Sequence, residues 1–389
     1  MSLPMNQNSF VKEVLLQSKR PISRLHDIHR SQDDGEEREG LVVGASPVPR
    51  SLHHPSPLSQ LEAESLPISD LDGMALLQRC TQMAQELSSS LLSSCPSLSP
   101  EDIELTSERP VSAGGFADIW GAMHDGRKVV LKSYRCYMSF DVAQVVTRFC
   151  NEVYAYILLP RTDVLLVGVY STHTHPFGLV YEYMDNLDLR QYLRSEPNVG
   201  RLKLLTDIAR CLNCLHDLDI VHSNLRTTNI LIDKYGVPRI AGLGNVRVLP
   251  HSTARTAEGG TSDNQLSCNL SPEVTRLGMS PNVTEVIRHT KASDMYAFGV
   301  TAFEVLTGRP PFHEMTEISA TYLMLSGSRP PRPDHHKVSD SVWRMIQSCW
   351  NPVASRRMPI GEVVTLLEAE LSRTPTPYVW RPCWNVLNC

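Results

Sequence analysis

The stretch Ile220–Val246, IVHSNLRTTNILIDKYGVPRIAGLGNV, constrains this chain more than any other. Its apolar run Ile230–Leu231–Ile232 predicts a short buried strand. The turn residues from Asp233 to Gly236 close that strand and lead into a second one, which ends at another turn, Gly242–Gly244. Four polar side chains, His222, Asn224, Arg226 and Asn229, crowd the loop just ahead of the run. The pattern is strand, turn, strand, turn, with a polar loop at its entrance.

That pattern resembles the catalytic loop and metal-binding turn of protein kinases, written in the family as H-R-D-L-x-x-x-N followed by D-F-G. His222, Leu225 and Asn229 keep their places, and Leu243 keeps an apolar residue where the family has Phe. Two carboxylates are missing. Asn224 stands at the catalytic-base position and Gly242 at that of the metal-binding Asp.

Further motifs follow in the family's order. RPVSAGGFADIWGAMHDGRKVVLKSYR predicts two strands joined by a hairpin at His124–Arg127, then a third strand ending on Lys132. The family's glycine-rich lid would fall on Ser112, Gly114 and Ala117, with Phe116 at its tip and Ile119 behind it. Lys132 resembles the lysine of V-A-I-K, and Glu152 its partner on a helix from about Ser139 to Leu159. Val130 replaces the small residue that usually roofs the adenine, which implies crowding of the ring. Asp163–Tyr170 and Phe177–Met184 predict two more strands; Glu182–Tyr183–Met184 resembles the hinge, with Tyr181 as gatekeeper. Leu187 stands where related kinases commonly carry Gly. Leu270–Val274 matches A-P-E, Ser293–Phe312 the central helix of the large lobe, and Arg357 is placed to pair with Glu273. Asp294 would accept backbone N–H bonds from the catalytic loop, and His222, Leu243 and Tyr156 would stack into an apolar column between the lobes. An inserted loop is expected at about 276–291.

The resemblance implies an α+β bilobal fold: a five-stranded small lobe with one helix (106–184) and a larger, mainly helical lobe (185–373). It covers about two-thirds of the 389 residues, and its wording is most similar to the tyrosine-kinase-like group of fungi. For the site it implies Lys132, Glu152, Arg226 and Asn224 as catalytic positions. Nucleotide would meet Ser112, Gly114, Phe116, Ile119, Val130, Lys132, Glu182, Met184 and Leu231, and metal would meet Asn229. His222, Leu243, Glu273, Asp294 and Arg357 are structural.

The substitutions change what that site can do. Asparagine can hydrogen-bond a substrate hydroxyl but cannot take its proton, a loss of about 10²–10⁴ in rate. Glycine offers magnesium no ligand, so ATP binding is expected to be weak and metal-independent and Mg2+ doubtful. Ser223 replaces the Arg that receives an activation-loop phosphate, so phosphorylation of Ser252, Thr253, Thr256, Thr261 or Ser262 would not order the segment in the usual way. A kinase frame without its acids is expected of a pseudokinase, a scaffold or allosteric regulator in intracellular signalling whose partners are proteins, an active kinase among them. The alternative is an active or weakly active Ser/Thr-type kinase with Asp233 or Asp263 as improvised ligand.

Composition narrows the setting. A formal net charge of -5 gives no reason to expect nucleic acid. No apolar run approaches a membrane span, and the N-terminal residues do not resemble a secretory signal; a cytoplasmic location is expected. Ten cysteines are scattered, and Cys211 with Cys214 forms a C-x-x-C inside a helical stretch, expected as core thiols. Residues 1–68, rich in Ser, Pro and charge, are expected to be disordered, with a short helix within Phe10–Ser18. In 69–94, Leu76, Cys80, Met83, Leu87 and Leu91 recur at helical spacing, a stripe for this domain or for a partner. Residues 374–389 form an aromatic tail with Tyr378, Trp380 and Trp384.

Overall fold

The computed structural model describes residues 95–136, 142–159, 165–248, 267–278, 289–333 and 338–373. The extension 1–68, the segment 69–94, the aromatic tail, most of the expected insertion, and Ser252 to Asp263 of the activation segment lie outside those residues.

The small lobe is built on one sheet. Its strands are β1 (Ser97–Leu98), β2 (Glu104–Leu105), β3 (Ser112–Ala113), β4 (Ala117–His124), β5 (Arg127–Tyr134), β6 (Leu166–Tyr170) and β7 (Gly178–Glu182). Their order is β1-β6-β7-β5-β4-β2, with β3 also on β4. The expected strands are β3 to β7; β1 and β2 widen the sheet upstream of residue 106, and β1 runs parallel to β6. The β4–β5 hairpin turns on Asp125 and Gly126, with φ of +48° and +71°. Positive φ at both residues matches the right-handed twist of the flanking strands.

Alternation along β5 separates core from cleft. Val129 and Leu131 enter a core with Ile103, Ala122, Tyr170 and Val180, whereas Val130 and Lys132 point to the other face and are only half-buried. Helix α1 (Val142–Leu158) covers the sheet through an apolar stripe of Val145, Val146, Phe149, Cys150 and Val153. Phe149 meets Phe177 with ring centroids 5.4 Å apart.

The large lobe holds α2 (Leu189–Ser195), α3 (Arg201–Asp217), α4 (Pro272–Gly278), α5 (Lys291–Thr307), α6 (Glu317–Leu325), α7 (Asp340–Cys349) and α8 (Ile360–Ser372). Every residue of α5 from Ser293 to Val305 is buried, and apart from Ser293, Asp294, Thr301 and Glu304 its sequence there is apolar on all sides. Thr290 caps its start by accepting the Ser293 N–H at 3.1 Å, a contact worth about 1 kcal/mol. Cys211 is buried on α3 and donates its Sγ to the Pro238 carbonyl at 3.7 Å, and Cys214 is half-buried on the same helix. Four short strands face the cleft: β8 (Ile220–Val221), β9 (Ile230–Ile232), β10 (Pro238–Ile240) and β11 (Arg247–Val248). They form two antiparallel pairs, β9 with β10 and β8 with β11.

Candidate functional site

Lys132 reaches Glu152 from β5 to α1. Its Nζ lies 2.9 and 2.6 Å from the two carboxylate oxygens. The pair is interior, with the Glu152 side chain 2% exposed, so it is no loose surface contact. Two hydroxyls join it: Tyr181 donates to Glu152 Oε1 at 2.7 Å, and Tyr134 donates to Oε2. Motif matching names Tyr181 only as a gatekeeper and omits Tyr134. The available signal was period two, since Tyr134 shares a strand face with Lys132. Tyr156 meets Tyr181, centroids 5.6 Å apart, while His222 and Leu243 are fully buried.

Asp294, buried at the start of α5, fixes the polar loop. It accepts the N–H of His222 at 2.7 Å, that of Ser223 at 2.9 Å, and a bond from His216 Nε2 at 3.0 Å. Ser223 is held with φ of +67°, a conformation costly for a residue with a Cβ. His222 Nδ1 accepts the Asn224 N–H at 3.2 Å, so its Nε2 donates to the Ala241 carbonyl at 3.0 Å. The ring is therefore neutral, and burial holds its pKa below the usual histidine value.

Asn229 donates its Nδ2 to the Asn224 carbonyl at 2.8 Å, with its amide beside Gly242. Gly242 has φ of +75° and brings no side chain to this corner. One neutral amide oxygen does not make a site for a hard dication, so the residues present do not fit a magnesium ion held as the sequence motif would hold it. Asp233 is engaged elsewhere: its Oδ1 accepts the N–H groups of Tyr235 and Val237, each at 2.9 Å, and its Oδ2 meets Arg239 at 3.3 Å.

The remaining nucleotide positions surround the cleft. In the register of β3, β4 and β5, Ser112 faces Ile119 and Ile119 faces Lys132; Val130 lies between Gly121 and Tyr181. Leu231 is half-buried on β9 and bridges to Asp188. At the hinge, Glu182 donates its N–H to Leu165 and Met184 accepts from Leu187. The lid rests on two arginines not marked in the sequence: Arg135 donates to the Gly114 carbonyl, and the Arg148 guanidinium lies 3.6 Å from the centroid of the Phe116 ring. Arg226 donates to Ser267 Oγ and to Glu317, both at 3.2 Å.

In the large lobe Arg357 grips Glu273 with both terminal nitrogens, at 2.7 and 2.8 Å. Burial pushes the Glu273 carboxyl up, and the bonds and charge of Arg357 reverse that, leaving it below the usual value. A profile described as protein tyrosine and serine/threonine kinase matches residues 105–367. The chain belongs to the protein kinase family.

Relatives of this kinase domain are distant. It is 24% identical over 271 residues to the serine/threonine-protein kinase STY17 of Arabidopsis thaliana, covering 68% of this chain and 44% of that one. It is 25% identical over 277 residues to human mitogen-activated protein kinase kinase kinase 10, covering 69% and 28%. The dual specificity protein kinase shkE of Dictyostelium discoideum is 27% identical over 296 residues, covering 74% and 39%. The match spans less than half the length of each of these relatives. Kinase domains of this family bind ATP and Mg2+. Among the described residues, no helix is long and apolar enough to cross a membrane.

Proposed function

We propose that this kinase domain works as a protein-binding module, a scaffold or allosteric regulator in signalling, with phosphoryl transfer lost or greatly reduced. The supporting observation is the corner formed by Asn224, Asn229 and Gly242, which keeps its backbone bonds and offers neither a base nor a carboxylate for metal. Phosphoryl transfer depends on positioning and on neutralising phosphate charge. Here the positioning frame is intact, Lys132 included, but the carboxylates that would hold a charge-neutralising metal and take the proton are absent. Lys132 and the backbone of Glu182 and Met184 would still hold a nucleotide, weakly and without magnesium. A module of this kind acts through the conformation it presents to a partner, such as an active kinase.

A second reading rests on the Lys132–Glu152 pair, at 2.6 Å in the arrangement that transfer requires. On that reading the domain is a slow ATP-dependent Ser/Thr-type kinase. Incubating the full chain with ATP and Mg2+ or Mn2+ separates the two. Transfer abolished by Lys132→Ala establishes the enzyme; no transfer from a chain that unfolds cooperatively supports the module.

A further inference from the structure

The carboxylate of Glu152 has about four lone-pair directions to satisfy, and four donor contacts meet it. Lys132 approaches both oxygens, at 2.9 and 2.6 Å. Tyr181 from β7 takes Oε1 at 2.7 Å, and Tyr134 from β5 takes Oε2. Both tyrosines are buried. The Tyr134 hydroxyl also fills the space over the metal-turn remnant, where a Cβ added to Gly244 would stand 2.8 Å from it. One buried point thus joins two sheet strands, the helix and the Gly242–Gly244 turn. Lys132 is one of three residues there, and it is the one a nucleotide phosphate would also engage.

We propose that Tyr134 and Tyr181 are positioning residues that, alongside Lys132, hold α1 against the small-lobe sheet through Glu152, so that the helix keeps this placement without nucleotide. The hydroxyls suit the task because they stay protonated. Burial first, and then the negative charge of Glu152, push both pKa values well above the ordinary tyrosine value. A neutral donor also costs less to bury than a second cation would. The claim goes beyond the module reading and holds whether or not the domain transfers phosphate.

The test is amide hydrogen exchange over 145–158 in the full chain without nucleotide, with α5 as the internal reference for a folded large lobe. Lys132→Met strips a buried carboxylate of its counter-charge and is expected to speed exchange in α1, serving as the positive control. Tyr134→Phe with Tyr181→Phe is expected to speed it about tenfold or more while α5 stays protected, because each substitution removes a bond to a buried charge. If the double variant does not fold, Tyr134→Phe alone is held to the same standard. Full protection of α1 in the tyrosine variants, with α5 protected as in wild type, overturns the proposal. A spectroscopic readout accompanies it: raising the pH to about 11, past the ordinary tyrosine pKa, should give the same tyrosinate absorbance in wild type and Tyr134→Phe. A smaller amplitude in the variant would mean that this hydroxyl ionises like an exposed one, and would also overturn it.

Discussion

A Cβ added to Gly242 would stand 3.0 Å from the amide carbon of Asn229 and 3.1 Å from its oxygen. The neighbour would have to give by a few tenths of an ångström, and φ at Gly242 is +75°. Restoring the carboxylate here therefore has a conformational cost. Gly242→Asp alone is expected to destabilise the domain by about 1–2 kcal/mol, the usual left-handed penalty, or several degrees in Tm. Asn224→Asp is near-isosteric, and the frame already fixes the backbone of residue 224. The double variant should gain a Mg2+-dependent stabilisation by ATP in a thermal-shift titration. A double variant as indifferent to magnesium as wild type would refute this account of the corner. So would a large magnesium effect in wild type.

The frame was readable because it is carried by spaced single residues. Lys132, Glu152, Asp294, Glu273 and Arg357 each needed only a motif and a distance along the chain. What stayed hidden depends on side chains meeting across elements that no motif links. Tyr134, two residues beyond Lys132, does not mark itself as a Glu152 donor. Arg148 carries no sign that it will lie over Phe116. Arg226 likewise carries no sign that its guanidinium will bond Ser267 and Glu317. Strand content was underestimated for a related reason, since β1 and β2 are two residues each and have no periodicity to detect.

The Arg357–Glu273 pair should be costly to break from one side. The Arg357 side chain is fully buried and also donates to the Ala292 carbonyl at 2.8 Å. Glu273→Ala would leave that charge without its counter-ion, at a cost of about 3 kcal/mol. Urea unfolding is the measurement. A midpoint unchanged from wild type would show that the backbone carbonyls alone satisfy the guanidinium.

Acid should weaken the fold before its carboxylates titrate. Burial, followed by the charge of Arg247, lowers the pKa of His289 to about 4, although Asp294 and Glu273 pull the other way; burial lowers that of His222 as well. Both rings are neutral in the folded chain, whereas the unfolded chain takes up protons below about pH 6.5. Their contribution is fully present above that pH and is lost as the pH falls towards about 4. At pH 5 the His289 share alone is about 2 kcal/mol. The unfolding free energy between pH 7.5 and 5 should therefore fall by about that much, and His289→Gln should flatten the dependence. A flat wild-type profile over that window would contradict the depressed value.

Leu187 occupies a conformation that glycine would adopt without strain. Its φ is +57°, and the backbone enforces it: the Leu187 N–H reaches Met184 at 3.0 Å and its carbonyl accepts from Ile232 at 2.8 Å. The side chain is 43% exposed, so little packing compensates. An L-residue in this region loses about 1–2 kcal/mol, while glycine costs roughly 0.5–1 kcal/mol in the unfolded chain. Leu187→Gly should thus stabilise the domain by up to about 1 kcal/mol, visible as a rise of about 2–4 °C in Tm. A fall in Tm would mean that the exposed leucine contributes packing that outweighs the strain.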